Sequence, residues 1–198
     1  MPTNTLRPDL QALANLIRTK EKVLDLGCGD GALLNHLQIE KRVVARGVEL
    51  HETGVMACIE RDLSVRQSNL HEGLDDYPDQ SFDAVILSHT LPYINDPAGT
   101  LREMLRVGNR AIITFPNLGY WRYRLELLIL GRMPNPPELP NPWEAGPRPR
   151  PMTIYDFEFL CAREGIPIKQ TIYLYHGRRI VPRWGQNLRA SAVIFELR

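Results

Sequence analysis

Val23-Leu24-Asp25-Leu26-Gly27-Cys28-Gly29-Asp30-Gly31 is the stretch that decides how this chain is read. Lys22 to Leu26 forms a short apolar strand that runs into three glycines at alternate positions. From Gly31 a helical pattern resumes through Ala32, Leu33, Leu34 and Leu37. A strand that ends in Gly-x-Gly-x-Gly and opens a helix lets backbone approach a ligand with no Cβ in the way, and turns N–H groups toward it. Glycines alone do not choose the ligand, because Gly27, Gly29 and Ala32 also satisfy a dinucleotide fingerprint. Two carboxylates do. Asp25 at the strand end and Asp30 in the loop would crowd a pyrophosphate and suit a cation. Against this stands the simpler possibility that Asp25 only caps the helix that follows.

The next strand, Val43 to Leu50, carries Glu49 at its tip, ~20 residues beyond the glycines, where a carboxylate accepts both hydrogen bonds of a ribose diol. NAD and S-adenosylmethionine both have that diol, and the acidic turn favours the second, whose ammonium and sulfonium are positive. Outward from this pair the chain keeps alternating. Helical spacing covers Arg7 to Arg18, His51 to Arg61 and the helix of Leu101, Met104, Leu105 and Val107, with Pro97 in its first turn. Strands are expected at Ser64 to Gln67, Phe82 to Leu87 and Ala111 to Phe115, and the nearly all-apolar run from Phe82 to Leu87 suits a parallel sheet covered on both faces. The expectation is a doubly wound, mainly parallel α/β sheet of seven strands. Ile166 to Tyr175 and Ala190 to Leu197 would close it as an antiparallel pair. After Phe115 the rhythm breaks. Tyr120 to Leu130 looks helical, and residues 131–151 then hold eight of the 16 prolines, which no regular helix or central strand accepts. The chain therefore reads as one domain over 1–198 with an insertion at about 117–151. Thr153, with Asp156 three residues on, opens a further helix.

Composition excludes several classes. With 198 residues, 43% hydrophobic and 24% charged, the chain is an ordinary globular one, not a disordered one. No apolar run approaches the ~20 residues of a bilayer crossing, and the N-terminus has no apolar secretory core, so a cytoplasmic protein without a membrane role is expected. Cys28, Cys58 and Cys161 have neither disulfide nor zinc spacing, and no metal site is expected. Residues 1–117 carry net −4 and residues 118–198 net +5, with the arginines scattered, which falls short of a nucleic-acid footprint and fits an anionic group or an acidic partner surface.

The order VLDLGCGDG, GVEL, SNL, FDAVILSHTLPYINDP and LREMLRVGNRAIITFPN resembles the class I S-adenosylmethionine-dependent methyltransferases. By that resemblance Gly27, Cys28 and Gly29 lie along the methionine part of the cofactor and Asp25 near its ammonium. Glu49 with Leu50 holds the ribose, Asn69 and Leu70 meet the adenine, and Ser88 stands beside the methionine moiety. Many members of that superfamily carry Asp where this chain has Asn69. RDLSVRQSNLHEGL, YWRYRLELLILGRMP and TIYDFEFLC narrow the resemblance to the MetW family of methionine-biosynthesis proteins, over roughly residues 6–197 and weakest from Asn135 to Pro151. That family implies S-adenosylmethionine (product S-adenosylhomocysteine) as cofactor and homoserine O-acyltransferase as protein partner.

Methyl transfer needs mainly alignment of the acceptor, and a base only for poor nucleophiles. His89, directly after the fourth strand, is the best base candidate, and Tyr93 is a candidate pocket lid; packing roles compete with both. An Asn-Pro-Pro-Tyr motif is absent, so amide methylation is not expected, and no G-x-S-x-G elbow makes this chain itself an acyltransferase. If the chain works instead as a helper subunit, Tyr120, Trp121, Arg122 and Arg124 become interface anchors. The competing expectation is that Leu125, Leu127 and Leu128 bury that helix within the chain.

Overall fold

Apolar strands and amphipathic helices alternate in the computed structural model, which describes residues 6–69, 74–137, 139 and 149–198. In chain order the elements are α1 (Pro8–Ala14), β1 (Lys22–Leu26), α2 (Ala32–Lys41), β2 (Val44–Glu49), α3 (Glu52–Glu60), β3 (Val65–Gln67), β4 (Ala84–Ser88), α4 (Pro97–Val107), β5 (Ala111–Pro116), α5 (Trp121–Leu130), α6 (Ile154–Arg163), β6 (Ile168–Tyr175), β7 (Arg178–Ile180), α7 (Gln186–Arg189) and β8 (Ala192–Leu197). They build one sheet of order β3-β2-β1-β4-β5-β8-β6-β7. The first five strands are parallel, and β8 runs antiparallel to both β5 and β6.

The doubly wound, mainly parallel sheet with its antiparallel closing pair is as the sequence led us to expect, but with eight strands. The eighth, β7, turns back on β6 through His176 and Gly177, both at positive φ, inside a stretch that reads as a linker. Helix α1 stops at Ala14, three residues before its apolar spacing ends at Ile17. The Lys41 ammonium takes the carbonyls of Ala14 and Ile17, and Leu16 and Ile17 close a tighter turn onto Leu13 and Ala14.

Both sheet faces are covered, which is why the central strands carry almost no polar residue. One face packs Leu24, Leu26, Leu87, Ile113 and Phe195 against α4 and α6, with Phe115 stacked on Phe195 and Phe157 tilted against both. The other packs Val23, Ile86, Ile112 and Ile194 under α1, α2 and Cys58 of α3. At the N-terminal edge the buried Arg110 guanidinium donates to the Leu16 carbonyl and to Glu21 and Glu196, so its charge enters the interior fully paired.

Helix α6 starts with a complete capping box: the Thr153 hydroxyl accepts from the Asp156 N–H, and the Asp156 carboxylate accepts from the Thr153 N–H at 2.8 Å. Thr153→Ala should therefore cost about 1 kcal/mol, seen as a lower urea midpoint at unchanged slope.

Candidate functional site

In-register neighbours of a parallel sheet point the same way, so the pairing register identifies which side chains gather at the C-terminal edge. Asp25 pairs with Gly47 and Ile86, and Ser88 pairs with Thr114. Counting by twos puts Asp25, Glu49, Ser88 and Thr114 on one face, at the ends of β1, β2, β4 and β5. This is the edge where doubly wound sheets bind ligands.

The bend after β1 is built by positive φ at Gly27, Gly29 and Gly31, a region closed to most side chains. A Cβ on Gly27 would stand 2.6 Å from Thr90 Oγ1, whereas one on Gly29 would meet nothing within 4 Å. The bend is thus packed at its start and open at Gly29. Its N–H groups are largely spent inside the chain. Gly27 and Cys28 donate to the Val48 carbonyl, Gly29 to Glu49 Oε2 at 2.9 Å, Gly31 to the Cys28 carbonyl, and Ala32 to Asp30 Oδ1. The expectation that the turn aims its amides at a ligand is corrected on this point, and a pyrophosphate would find few donors there.

Asp25 is 2% exposed, and its Oδ1 has no hydrogen-bond partner among the described residues. Burial, with the Glu49 charge adding to it, pushes its carboxyl up to about 7. The Glu49 carboxylate is also buried, but both its oxygens are satisfied, by the Gly29 N–H and by the His51 N–H at 2.8 Å. The second loop charge is weaker than its sequence implies, because Arg61 pairs with Asp30 at 3.1 Å. Cys28 packs its thiol 3.8 Å from Cys58 under the bend, and burial raises both thiols, so neither is a reactive thiolate. Leu50 and Asn69 are exposed on the rim beyond Glu49, and Leu70 lies outside the described residues.

Across β4, His89 adopts φ +56, which swings its ring out of the strand direction while its N–H still bonds the Thr114 carbonyl. Its Nε2 lies 2.7 Å from Asp9 Oδ2. Burial alone would raise Asp9, but hydrogen bonds from His89 and Arg7 outweigh it and hold the carboxyl well below the usual carboxylate range. An ionised Asp9 accepts the hydrogen bond of Nε2–H, and Nδ1 is the ring atom without a partner among the described residues. That Nδ1, Ser88 Oγ, Thr114 Oγ1 and Tyr93 Oη are all buried without a partner among the described residues. Asp9 and Thr114 escaped the sequence reading. Asp9 looks like an ordinary first-turn acid, whereas Thr114 had a signal, being the one polar residue in AIITF.

Of the proline-rich segment, residues 131–137, 139 and 149–151 are described, and they form a strap beside the turn after β4. Arg150 holds it down, its N–H donating to the Pro92 carbonyl and its guanidinium to the carbonyls of Ile94 and Asn95. Between this strap and the sheet lies an apolar cavity of about 220 Å³ lined by Pro92, Pro116, Leu118, Met133, Leu139 and Met152.

Comparison with known proteins fits this geometry. The family model described as "Methionine biosynthesis protein MetW" matches residues 7–197. A bifunctional methionine biosynthesis protein MetXA/MetW of Rhodopirellula baltica is 33% identical over 201 residues, covering 96% of this chain and 32% of that relative. The chain thus spans about a third of the curated relative it matches. Among solved structures, an S-adenosylmethionine-dependent methyltransferase of Mesorhizobium loti superposes with a TM-score of 0.69 at 17% identity, over 96% of this chain and 97% of that one. A magnesium protoporphyrin IX methyltransferase of Synechocystis with bound S-adenosylhomocysteine gives a TM-score of 0.63 at 15% identity, over 95% and 80%. Such identities speak to the fold alone, and that fold is the class I methyltransferase one.

The protonated Asp25 has a consequence for stability. Its folded pKa is raised, so its contribution is complete below the unfolded value near 4 and is lost as pH rises through about 7. Relative to Asp25→Asn, the wild-type protein should lose roughly 1.4 kcal/mol of stability per pH unit across that window. Urea titrations of both proteins at pH 5, 6, 7 and 8 measure it, and parallel curves would contradict the assignment.

Proposed function

The chain belongs to the MetW family, and from that membership we propose that it binds S-adenosylmethionine at the Gly27–Gly31 bend. There it acts with homoserine O-acyltransferase in methionine biosynthesis, in the cytoplasm. We take residues 1–198 as one methyltransferase-like unit in which the 117–151 insertion walls the acceptor side. Among the described residues no helix is long and apolar enough to cross a membrane.

The observation that carries the ligand is Asp25, a buried carboxyl with an unpartnered oxygen beside an open glycine. A positively charged group lets that carboxyl ionise with a partner, whereas a phosphate would hold it neutral and add to the negative charge of Glu49. In this reading Asp25 takes the ammonium, and Gly27, Cys28 and Gly29 run along the methionine chain with Ser88 opposite. Glu49 exchanges its backbone N–H partners for the ribose diol, and Leu50, Asn69 and Leu70 border the adenine. When bound, the sulfonium supplies an electrophilic methyl group. Everything else the chain does there is orientation.

A specific observation also favours a second function, a stand-alone small-molecule methyltransferase. His89, fixed through Nε2 by Asp9, keeps a buried Nδ1 without a partner among the described residues, and the Tyr93 hydroxyl, four residues on, is buried in the same condition. In that case His89 takes the acceptor's proton and Tyr93 orients it.

Calorimetric titration with S-adenosylmethionine should give saturable binding. At pH 6 about one proton should be released per ligand, read from buffers of different ionisation enthalpy, because the ammonium discharges the Asp25 proton. Glu49→Gln should weaken binding at least about tenfold, since a charge-assisted hydrogen bond is lost. Saturable NAD binding with no response to S-adenosylmethionine would overturn the ligand assignment. A change in acyltransferase turnover on adding the chain supports the helper role; labelled methyl transfer by the chain alone supports the second function.

A further inference from the structure

Helix α5 leaves an apolar stripe in solvent. Trp121, Leu125 and Leu128 follow one another at i, i+4 and i+7, the spacing that aligns side chains on one helix face. All three are exposed, Leu128 by 80%, and Ile129 beside them is 72% exposed. Of the helix's ten residues only Tyr123 is buried. The expectation that Leu125, Leu127 and Leu128 pack the helix into its own chain is therefore not met.

The helix is nonetheless held firmly at its start. Tyr120, 1% exposed, sits in an aromatic cluster with Trp121, Tyr123, Tyr175 and His176, and Arg124 donates to the Gly119 carbonyl. Just upstream, the buried Asn117 side chain donates to the carbonyls of Asn187 and Ala190 and accepts from the Gly119 and Ile154 N–H groups. A rigid helix with a bare leucine stripe is a preorganised docking element, because partners lose little entropy in seating it. Exposed apolar patches of this kind mark interaction sites.

We propose that the Trp121–Leu125–Leu128 face of α5 is the docking surface for homoserine O-acyltransferase, seated in an apolar groove rimmed with carboxylates on that enzyme. Two observations select this occupant. The Rhodopirellula baltica relative carries MetXA and MetW in one polypeptide, most of which lies outside the match to this chain. And the stripe is bordered by Arg122, Arg124 and Arg132 with Glu126 as the single acid, inside a half of the chain that carries net +5. An isologous pairing of two copies would set that cationic rim against itself, whereas an acidic rim on a different protein is complementary. The inference rests on the helper role proposed above and adds where it is exerted. Because α5 follows β5 directly, a partner docked there stands beside the edge that carries Ser88 and Thr114.

The test is the equilibrium affinity of the full chain for purified homoserine O-acyltransferase, measured with saturating S-adenosylmethionine. Leu125→Glu/Leu128→Glu should weaken it at least about a hundredfold. Arg122→Glu/Arg132→Glu, which leaves the apolar face intact and guards against a folding defect in the first variant, should weaken it about tenfold and flatten its salt dependence. Both variants should keep wild-type affinity for S-adenosylmethionine. If the wild-type chain does not bind the acyltransferase, the helper role itself fails. If it binds and both variants bind equally well, the helper role stands and this docking surface is wrong. Wild-type dimers in sedimentation that Leu128→Glu dissolves, or wild-type flotation with anionic vesicles that it abolishes, with acyltransferase binding unchanged in either case, would assign the stripe to a second copy or to a lipid surface and likewise overturn it.

Discussion

The unpaired oxygen of Asp25 is the constraint from which the rest of the edge follows. An ionised carboxylate in that position, with Glu49 close by, is costly, so the group holds its proton to near neutrality. Glu49 escapes the same penalty by borrowing two backbone N–H groups, one from the bend and one from the start of α3. The two acids thus differ: Asp25 leaves an oxygen without a partner among the described residues, and Glu49 has a backbone partner on each oxygen. Neither arrangement survives a larger residue at the bend, since Gly27 is closed by Thr90, and Gly31 by Leu63 and Cys58.

What the sequence made legible is what short spacings encode. Asp25 to Gly31, Glu49 at the next strand tip, the Thr153–Asp156 cap and the apolar central strands all carry their physics within a few residues. Contacts that join distant residues were invisible. Asp9 meets His89 across eighty positions, and nothing around Pro8 announces it. Asp30 reads as free charge until Arg61 folds onto it. The β6–β7 hairpin is hidden because its turn depends on His176 at positive φ, a conformation histidine adopts less readily than glycine. Helix α5 misled in the opposite sense: its leucines look like core, and only the packing of Tyr123 alone on the inner side shows that they face outward.

The surface beside the turn after β4 is built differently from the glycine bend. The described prolines there belong to no regular element, and the Arg150 guanidinium ties this strap to the carbonyls of Ile94 and Asn95. Prolines cannot donate to a ladder, so the strap needs side-chain anchors, and Arg150 supplies three donors where the backbone has few. The cavity beneath it is small and mainly apolar, with Asn135 and Arg150 as its polar lining residues.

The pairing of β5 with β8 also bears on how the protein is made. β5 is wholly buried, with Ala111 opposite Leu197. During synthesis its outer rim stays unzipped, an apolar strand edge open to the cell, until residue 197 has cleared the ribosome. Long-range pairing of this kind is slow, and an open edge invites association with other nascent strands. The sheet is therefore completed only after translation has passed it, and chaperones would be most needed in that interval.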